Sequence, residues 1–295
     1  MTMKKVLFLL VFVALCMTSC EEESSKGSGA SSIVVEGWIE DGGFPVVIVT
    51  RSMAVSSEYH GSDELSDYLV RWARVVVSDG IDTVTLTGKY DPGYYPSYIY
   101  TTSRMKGQGG RQYSLLVECG DQCATATTTI PSGRVDCDFR VERCPGSDTL
   151  YQVVATFVDN PLEKNYYQFF SRVGTASKQY LASYLGSVDD EVLGEKTVMT
   201  VFRGHRLTAE DYTPYFLADD TVSVKFAQVD EASYLFWDSY TKTLSLSGNM
   251  FLSSDAPLMT NVKGGMGYWC GYLAVTDHIV IADSVSQTSR TSACR

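Results

Sequence analysis

Hydrophobic side chains recur at every second position, or in short apolar runs, along most of the chain. This period is typical of β-strands, and the Gly, Pro and Asp residues that bound the runs are typical of turns. In the first half, about seven such runs end at Pro131, which is the number and spacing of an immunoglobulin-like β-sandwich. The sequence predicts this sandwich over residues 32–131, with residues 51–71 as its long loop or crossover. Its strands are expected at residues 33–40, 45–50, 73–80, 81–88, 97–103, 111–119 and 123–130.

A second series of runs follows the short linker Ser132–Arg134. It has the same period and predicts a second, mostly antiparallel β domain over residues 135–283, followed by a polar tail over residues 284–295. Its strands are expected at residues 135–143, 149–158, 165–173, 178–185, 196–203 and 221–229, with a closing strand at residues 268–281.

One segment departs from this period. Residues Ala232, Phe236, Tyr240 and Leu244 lie four positions apart, which places them on one face of a helix. The pattern predicts an amphipathic helix over residues 230–246. The predicted fold class is therefore all-β, with two β domains and a single helix in the second.

The start of the chain has the layout of a secretory signal. Lys4 and Lys5 precede the apolar run Val6–Met17, which is too short to span a bilayer because a membrane helix needs about 20 residues. Small and polar residues then lead to Cys20, and this arrangement resembles the lipobox of bacterial lipoproteins. We expect residues 1–19 to be a lipoprotein signal peptide and Cys20 to be lipidated. The alternative is a plain secretory signal with an incidental cysteine.

Residues 20–31 are predicted to be an acidic, Ser- and Gly-rich tether. Its acidic cluster, Glu21, Glu22 and Glu23, resembles the export signal of Bacteroidota lipoproteins that reach the outer face of the outer membrane. The alternative is a solvated linker. This resemblance implies a chain anchored by lipid in the outer membrane and facing the cell exterior.

The composition bounds the class of partner. The chain has 295 residues, of which 44% are hydrophobic, and 24 basic against 35 acidic residues give a net charge of −11. The hydrophobic content is enough for a packed core. The net charge argues against nucleic acid as a partner, because binding phosphates requires clustered Lys and Arg.

The sequence contains no recognisable catalytic motif. His60, His205 and His278 are not spaced as metal ligands, and no nucleophile elbow or phosphate-binding loop is present. We therefore expect no catalytic residues, no metal and no cofactor. The acidic clusters Asp189-Asp190-Glu191 and Asp219-Asp220 are interpreted as solvated turns, with a Ca²⁺ site as the weaker alternative.

An aromatic loop between Tyr90 and Tyr100 is the most suggestive surface feature. Two prolines stiffen it, and its rings suit stacking on a sugar or peptide, or anchoring of a protein partner. Tyr94 and Tyr95 are the candidate ligand or partner contacts. The alternative is that both rings pack against their own domain.

Six cysteines follow Cys20, and an even number in an exported chain is consistent with disulfide bonds. Cys119 and Cys123 flank the segment Gly120–Gln122, so a bridge across this hairpin is the candidate disulfide. The other four cysteines leave their pairing open. They are Cys137, Cys144, Cys270 and Cys294.

Several motifs, in order along the chain, resemble one family of Bacteroidota lipoproteins, the domain of unknown function 4249. The motifs are VVEGWIEDG, KGQGGRQYSLLVECG before TATTTIP, NYYQFF, EASYLFWDSY and NVKGGMGYW. Members commonly occur beside TonB-dependent outer-membrane receptors, so the resemblance implies an accessory or substrate-capture partner of such a transporter rather than an enzyme. The alternatives are a surface glycan or peptide hydrolase that uses the acidic clusters, and a structural adhesin.

We expect replacement of Cys20→Ala to release the protein from membranes or to stall its processing, because the thiol is the predicted attachment point of the lipid. Metabolic labelling with a fatty acid, followed by membrane fractionation, measures both effects. Incorporation of label into the variant would contradict the assignment.

Overall fold

The computed structural model describes residues 31–52, 67–160, 163–190, 196–204, 212–247 and 258–282. These residues form β-strands and a single helix, α1 (Glu231–Ser247), which confirms the predicted all-β class and the predicted helix. The strands are β1 (Ile33–Glu40), β2 (Val46–Arg51), β3 (Arg74–Ser78), β4 (Thr83–Thr85), β5 (Thr87–Tyr90), β6 (Tyr98–Thr101), β7 (Gln112–Cys119), β8 (Gln122–Thr129), β9 (Cys137–Arg143), β10 (Leu150–Phe157), β11 (Tyr166–Val173), β12 (Leu181–Asp189), β13 (Thr197–Val201), β14 (Phe216–Leu217), β15 (Thr221–Val229), β16 (Val262–Lys263) and β17 (Met266–Val280).

The described strands form three sheets. The largest has eight strands in the order β12-β11-β15-β17-β1-β2-β6-β5, and we call it the central sheet. A second sheet has the order β16-β8-β7-β3-β4. In the third, β10 pairs with β13, β14 and β9.

The central sheet contains strands from both predicted domains. β1 pairs in parallel with β17, from Val34 opposite Met266 to Glu40 opposite Tyr272. β17 pairs on its other side with β15. The described residues from Ser32 onward form one compact unit. The predicted boundary after residue 131 therefore does not separate two sheets, because strand periodicity locates strands without identifying their partners.

Some predictions fall partly or wholly outside the described residues. These are the signal peptide at residues 1–19, most of the tether, the tail at residues 284–295, and residues 53–66 of the predicted loop. Within the described residues, the strand predicted at residues 178–185 spans Leu181–Asp189 instead. The segment just before it forms part of a loop that lines the site described below.

One face of the central sheet, which we call the core face, packs against the other two sheets. Alternate residues of β1 supply Ile33, Val35 and Ile39 to this core, and all three are buried. On β17, Trp269 is fully buried, and its indole N–H donates a hydrogen bond to the carbonyl oxygen of Tyr113 at 3.1 Å. Burying side chains from all three sheets in one core provides the main stabilisation of the fold.

The opposite face carries α1, and we call it the helix face. Asp230 caps the helix, because its carboxylate accepts a hydrogen bond from the Ser233 N–H at 2.9 Å. The same carboxylate accepts hydrogen bonds from the Thr128 hydroxyl and the Thr129 N–H, so it also ties the helix start to β8. Within the described residues, no helix has the length and apolar character needed to cross a bilayer.

The parallel pair β1–β17 depends on a glycine. Gly267 has a φ of +104°, and a Cβ atom there would lie 1.9 Å from the carbonyl oxygen of Val35. Gly42 also has a positive φ, +72°, but a Cβ there would meet nothing within 4 Å. Substitutions at these two glycines therefore distinguish the cost of backbone strain from the cost of close packing.

We expect Gly267→Ala to lower the free energy of unfolding more than Gly42→Ala. Both changes carry backbone strain of about 1–2 kcal/mol, and only Gly267→Ala adds a clash, for which overpacking typically costs about 1–3 kcal/mol. Urea denaturation of both variants measures the difference. Equal losses in the two variants would contradict the role of close packing at Gly267.

Candidate functional site

A cavity of about 400 Å³ lies on the helix face of the central sheet, beside α1. We call it the aromatic cavity. Its size is typical of sites for small organic ligands. The lining residues are Trp38, Glu40, Gly43, Phe44, Val46, Lys89, Asp91, Tyr94, Ile99, Thr101, Phe170, Lys178, Tyr180, Lys225, Trp237, Tyr268 and Tyr272.

Side chains that alternate along β1 and β17 form the floor of the cavity. On β1, Trp38 lies between the core residues Gly37 and Ile39, so its side chain points to the helix face. The same alternation on β17 directs Tyr268 and Tyr272 away from the buried Trp269. Neighbouring strands thus present aromatic rings side by side on one surface.

The helix supplies one wall. The ring of Trp237 on α1 lies 4.7 Å from that of Tyr268 and 5.3 Å from that of Phe170, measured between ring centroids. Its edge-to-face contact with Phe170 is a favoured aromatic geometry. These contacts hold the wall rigidly against the floor.

An ion pair crosses the floor, with its lysine buried and its carboxylate partly exposed. The ammonium group of Lys225, on β15, donates to the Glu40 carboxylate, on β1. β17 lies between these two strands, so the ion pair spans it. The Lys225 ammonium also lies 4.2 Å from the centroid of the Tyr180 ring, in a cation–π contact. Lys225 is buried, and such a charge requires a partner of this kind.

Two loops close the other wall, and we call their contact the loop clasp. The Lys178 ammonium bonds both carboxylate oxygens of Asp91, at 3.0 and 2.9 Å. The Lys178 backbone N–H donates to the Gly93 carbonyl oxygen at 2.7 Å. Gly93 permits this approach, because a Cβ atom there would lie 2.7 Å from the Lys178 side chain. The Tyr95 N–H adds a hydrogen bond to the Gln179 side chain at 3.2 Å.

The loop clasp sets the charge state of Asp91. The hydrogen bond from Lys178 lowers the pKa of Asp91, and a hydrogen bond from the Gly93 N–H acts in the same direction, against the opposing effect of burial. Asp91 therefore stays ionised well below neutral pH and keeps both loops together.

The structure separates the two predicted tyrosine contacts. Tyr94 lines the aromatic cavity, with its ring centroid 6.1 Å from that of Trp38, and packs against Val46 and Ile99. Burial raises the pKa of Tyr94, and the nearby carboxylate charges add to the effect. Tyr95 is half-buried in the loop clasp and does not line the cavity.

The predicted disulfide is not formed. Cys119 and Cys123 both have free thiols, because Cys119 pairs with Gln122 across a two-residue turn and Cys123 pairs with Glu118. Residues directly opposite share one face of a hairpin, so the two cysteines point to opposite faces. Cys137, Cys144 and Cys270 are also free, whereas Cys294 lies outside the described residues.

The predicted acidic turns lie away from the cavity. Asp190 accepts a hydrogen bond from the Asn165 N–H at 2.9 Å, which joins the ends of β11 and β12, whereas Asp220 accepts one from the Leu217 N–H at 2.9 Å within a local turn. His278 bonds the Ser223 hydroxyl at 2.8 Å. No group of three potential metal ligands occurs in the described part of the chain. Predicted residues outside that part are Cys20, Glu21, Glu22, Glu23, His60, Glu191 and His205.

Sequence reasoning missed most of the cavity. In β1, apolar core positions alternate with Glu36, Trp38 and Glu40, so a tryptophan shares the polar register with two glutamates. A tryptophan among these polar positions indicates that the face of β1 opposite the core also carries a site. Lys225 offered a similar signal, as a lone charge inside the apolar strand β15.

A family model described as a domain of unknown function (DUF4249) matches residues 20–277. This span includes every residue that lines the aromatic cavity. The description assigns no ligand, partner or activity. No curated protein matches the chain.

We expect Asp91→Asn to lower the free energy of unfolding at pH 7 by about 2 kcal/mol, as for hydrogen bonds to charged groups. Folding lowers the pKa of Asp91, so its contribution is complete above the ordinary value of 3.8 and is lost as the pH falls below it. The difference between wild type and variant should therefore shrink from pH 7 to pH 3, as measured by urea denaturation.

Asp148→Asn is the matched control, because Asp148 is fully exposed and lies 3.9 Å from Arg143. This surface pair should leave stability unchanged. A loss in Asp91→Asn that stays constant over the whole pH range would contradict the electrostatic role of Asp91.

Proposed function

We propose, from the premise that this chain belongs to the DUF4249 family, that it is an outer-membrane lipoprotein that captures a small ligand for a TonB-dependent transporter. The aromatic cavity is the observation that carries the proposal. It combines rings for stacking with charged groups at fixed positions, which is the composition of a site for a small ligand.

The signal layout supports the lipid anchor. Cys20 lies 13 positions before Ile33, where the first described strand begins. A Ser- and Gly-rich tether with the 11 residues from Cys20 to Ala30 has a root-mean-square reach of about 18 Å. Lipidation at Cys20 would therefore keep the β-sheets, and with them the cavity, close to the membrane that holds the transporter.

The geometry does not favour the hydrolase alternative. Asp189 pairs with Tyr166, which pairs in turn with Val229 at one end of β15. Asp220 precedes Thr221 at the other end of the same strand. The length of β15 separates the two acidic clusters by about 26 Å, whereas paired carboxylates of glycoside hydrolases lie about 5–10 Å apart.

Two exposed aromatic residues suit the contact with the transporter. Trp72 is 92% exposed and Tyr90 is 72% exposed. Both flank Tyr98, since Tyr90 pairs with it across β5 and β6, and the Tyr98 hydroxyl donates to the carbonyl oxygen of Arg71, next to Trp72. Trp and Tyr are enriched among the residues that supply most of the energy of protein interfaces.

Mild detergent extraction of the tagged chain from its native outer membrane tests the proposal. We expect a TonB-dependent receptor to co-purify in stoichiometric amount, identified by mass spectrometry. Trp72→Ala with Tyr90→Ala should reduce its recovery at an unchanged melting temperature. Ile81→Ala is the control, because Ile81 is a comparably exposed apolar residue on a different turn.

Recovery of the chain without any receptor would contradict the proposal. If receptor recovery is undiminished with the Trp72 and Tyr90 double variant, the contact with the receptor lies elsewhere on the surface.

A further inference from the structure

We propose that the aromatic cavity binds a small organic anion whose body is a planar ring. This inference rests on the proposed capture role and specifies the chemical class of the ligand. It follows from the balance of charges in the cavity, from the pairing of its carboxylates and from its aromatic lining.

The charge of the cavity opposes that of the whole protein. Three lysines line it, Lys89, Lys178 and Lys225, against two carboxylates, Glu40 and Asp91. The lining therefore has a net charge of +1, whereas the chain has a net charge of −11. A positive site within an acidic protein attracts an anion locally, although the surrounding surface repels it.

Both cavity carboxylates are already paired. Glu40 accepts the bond from Lys225, and Asp91 accepts two from Lys178. A cationic ligand would compete with these lysines for the same carboxylates. An anionic ligand meets no such competition, so the arrangement favours an anion.

Lys178 of the loop clasp and the neighbouring Lys89, on β5, retain bonding capacity. Lys89 lies 3.7 Å from the carboxylate that Lys178 also binds, so two ammonium groups share one acceptor. Each ammonium group has three donors, and more than half of each side chain is exposed. These two groups are placed to bind an anionic group along this wall of the cavity.

A further cation, Arg172, lies beside Tyr180, one of the lining residues. The Arg172 guanidinium lies 4.8 Å from the Tyr180 ring centroid and donates to the Ser223 hydroxyl at 2.9 Å. Its Nε atom is buried and has no hydrogen-bond partner within the described part of the chain. Burial raises the pKa of Tyr94, and the nearby charge of Arg172 opposes this shift.

The aromatic lining indicates the rest of the ligand. Trp38, Tyr94 and Trp237 enclose the space between the loop clasp and α1. Aromatic walls favour a flat ring, which can stack or make edge-to-face contacts. A volume of about 400 Å³ accommodates a ring system of one or two rings with a short acidic side chain.

Isothermal titration calorimetry with three matched probes tests the inference. Indole-3-acetate, tryptophol and tryptamine share the indole ring and carry an anionic, a neutral and a cationic head group. With the purified full chain in detergent, we expect indole-3-acetate to bind at least about tenfold more tightly than tryptamine, with tryptophol between them.

A lysine substitution locates the effect. Lys89→Gln should weaken the binding of indole-3-acetate by about threefold, the size of an exposed charge interaction. It should leave the affinity for tryptophol unchanged. Lys164→Gln is the matched control, because Lys164 is similarly exposed and lies 3.5 Å from Asp189, at a site away from the cavity. Melting temperatures of both variants exclude misfolding as the cause.

The outcomes separate this inference from the proposed function. Equal binding of the three probes, or tighter binding of tryptamine, would overturn the anionic class and leave the capture role intact. Loss of indole-3-acetate binding in Lys164→Gln but not in Lys89→Gln would place the site elsewhere. Absence of binding by all three probes would overturn the inference and also remove the support that the cavity gives to capture.

Discussion

β17 is the strand on which the central sheet depends. It lies between β15 and β1, so it joins the three strands β12, β11 and β15 to the four strands β1, β2, β6 and β5. Without it, the sheet would be two separate pieces with exposed edges, which is an unstable arrangement. The parallel pairing with β1 brings together residues more than 200 positions apart in the sequence.

The same strand gives the protein two chemically different surfaces. Its alternate residues place Trp269 and Leu273 in the core and Tyr268 and Tyr272 on the helix face. The core surface packs against two other sheets, whereas α1 covers only part of the opposite one. The aromatic cavity is the space that remains between the helix and the loop clasp. The pairing of β17 with β1 therefore determines both the core and the position of the cavity.

The ion pair between Lys225 and Glu40 carries a cost in folding free energy. Removing two charges from water carries a desolvation penalty, and a buried pair seldom adds net stability. Replacing a buried pair by apolar residues of similar volume is often neutral or stabilising. We infer that the pair contributes to the binding surface, where it keeps a charge in place among aromatic rings.

The strands, the helix and their apolar faces could be predicted from the sequence, because the period of a segment is a local property. The alternation of Ile33, Val35 and Ile39 and the spacing of Phe236 and Tyr240 are examples. Partners could not be predicted, since β1 has the same pattern whether it pairs with β2 alone or also with β17. Tyr94 was found because its loop is locally unusual.

Turn length explains the error at the cysteines. The sequence shows Cys119 and Cys123 at hairpin spacing, but it does not show whether two or three residues form the turn. One residue of difference moves a side chain to the other face of a strand. The same sensitivity applies to the cavity, because a register shift of one residue in β1 would exchange Trp38 for a core residue.

The position of β17 in the chain also has a consequence for biosynthesis. Residues emerge from the ribosome in order, so the strand that completes the central sheet is made after every other strand of that sheet. Until then, β1 lacks one neighbour and the two pieces of the sheet have nothing to join them. Pairing over such a long sequence separation is slow. A nascent chain of this topology therefore cannot complete its central sheet until β17 has been synthesised.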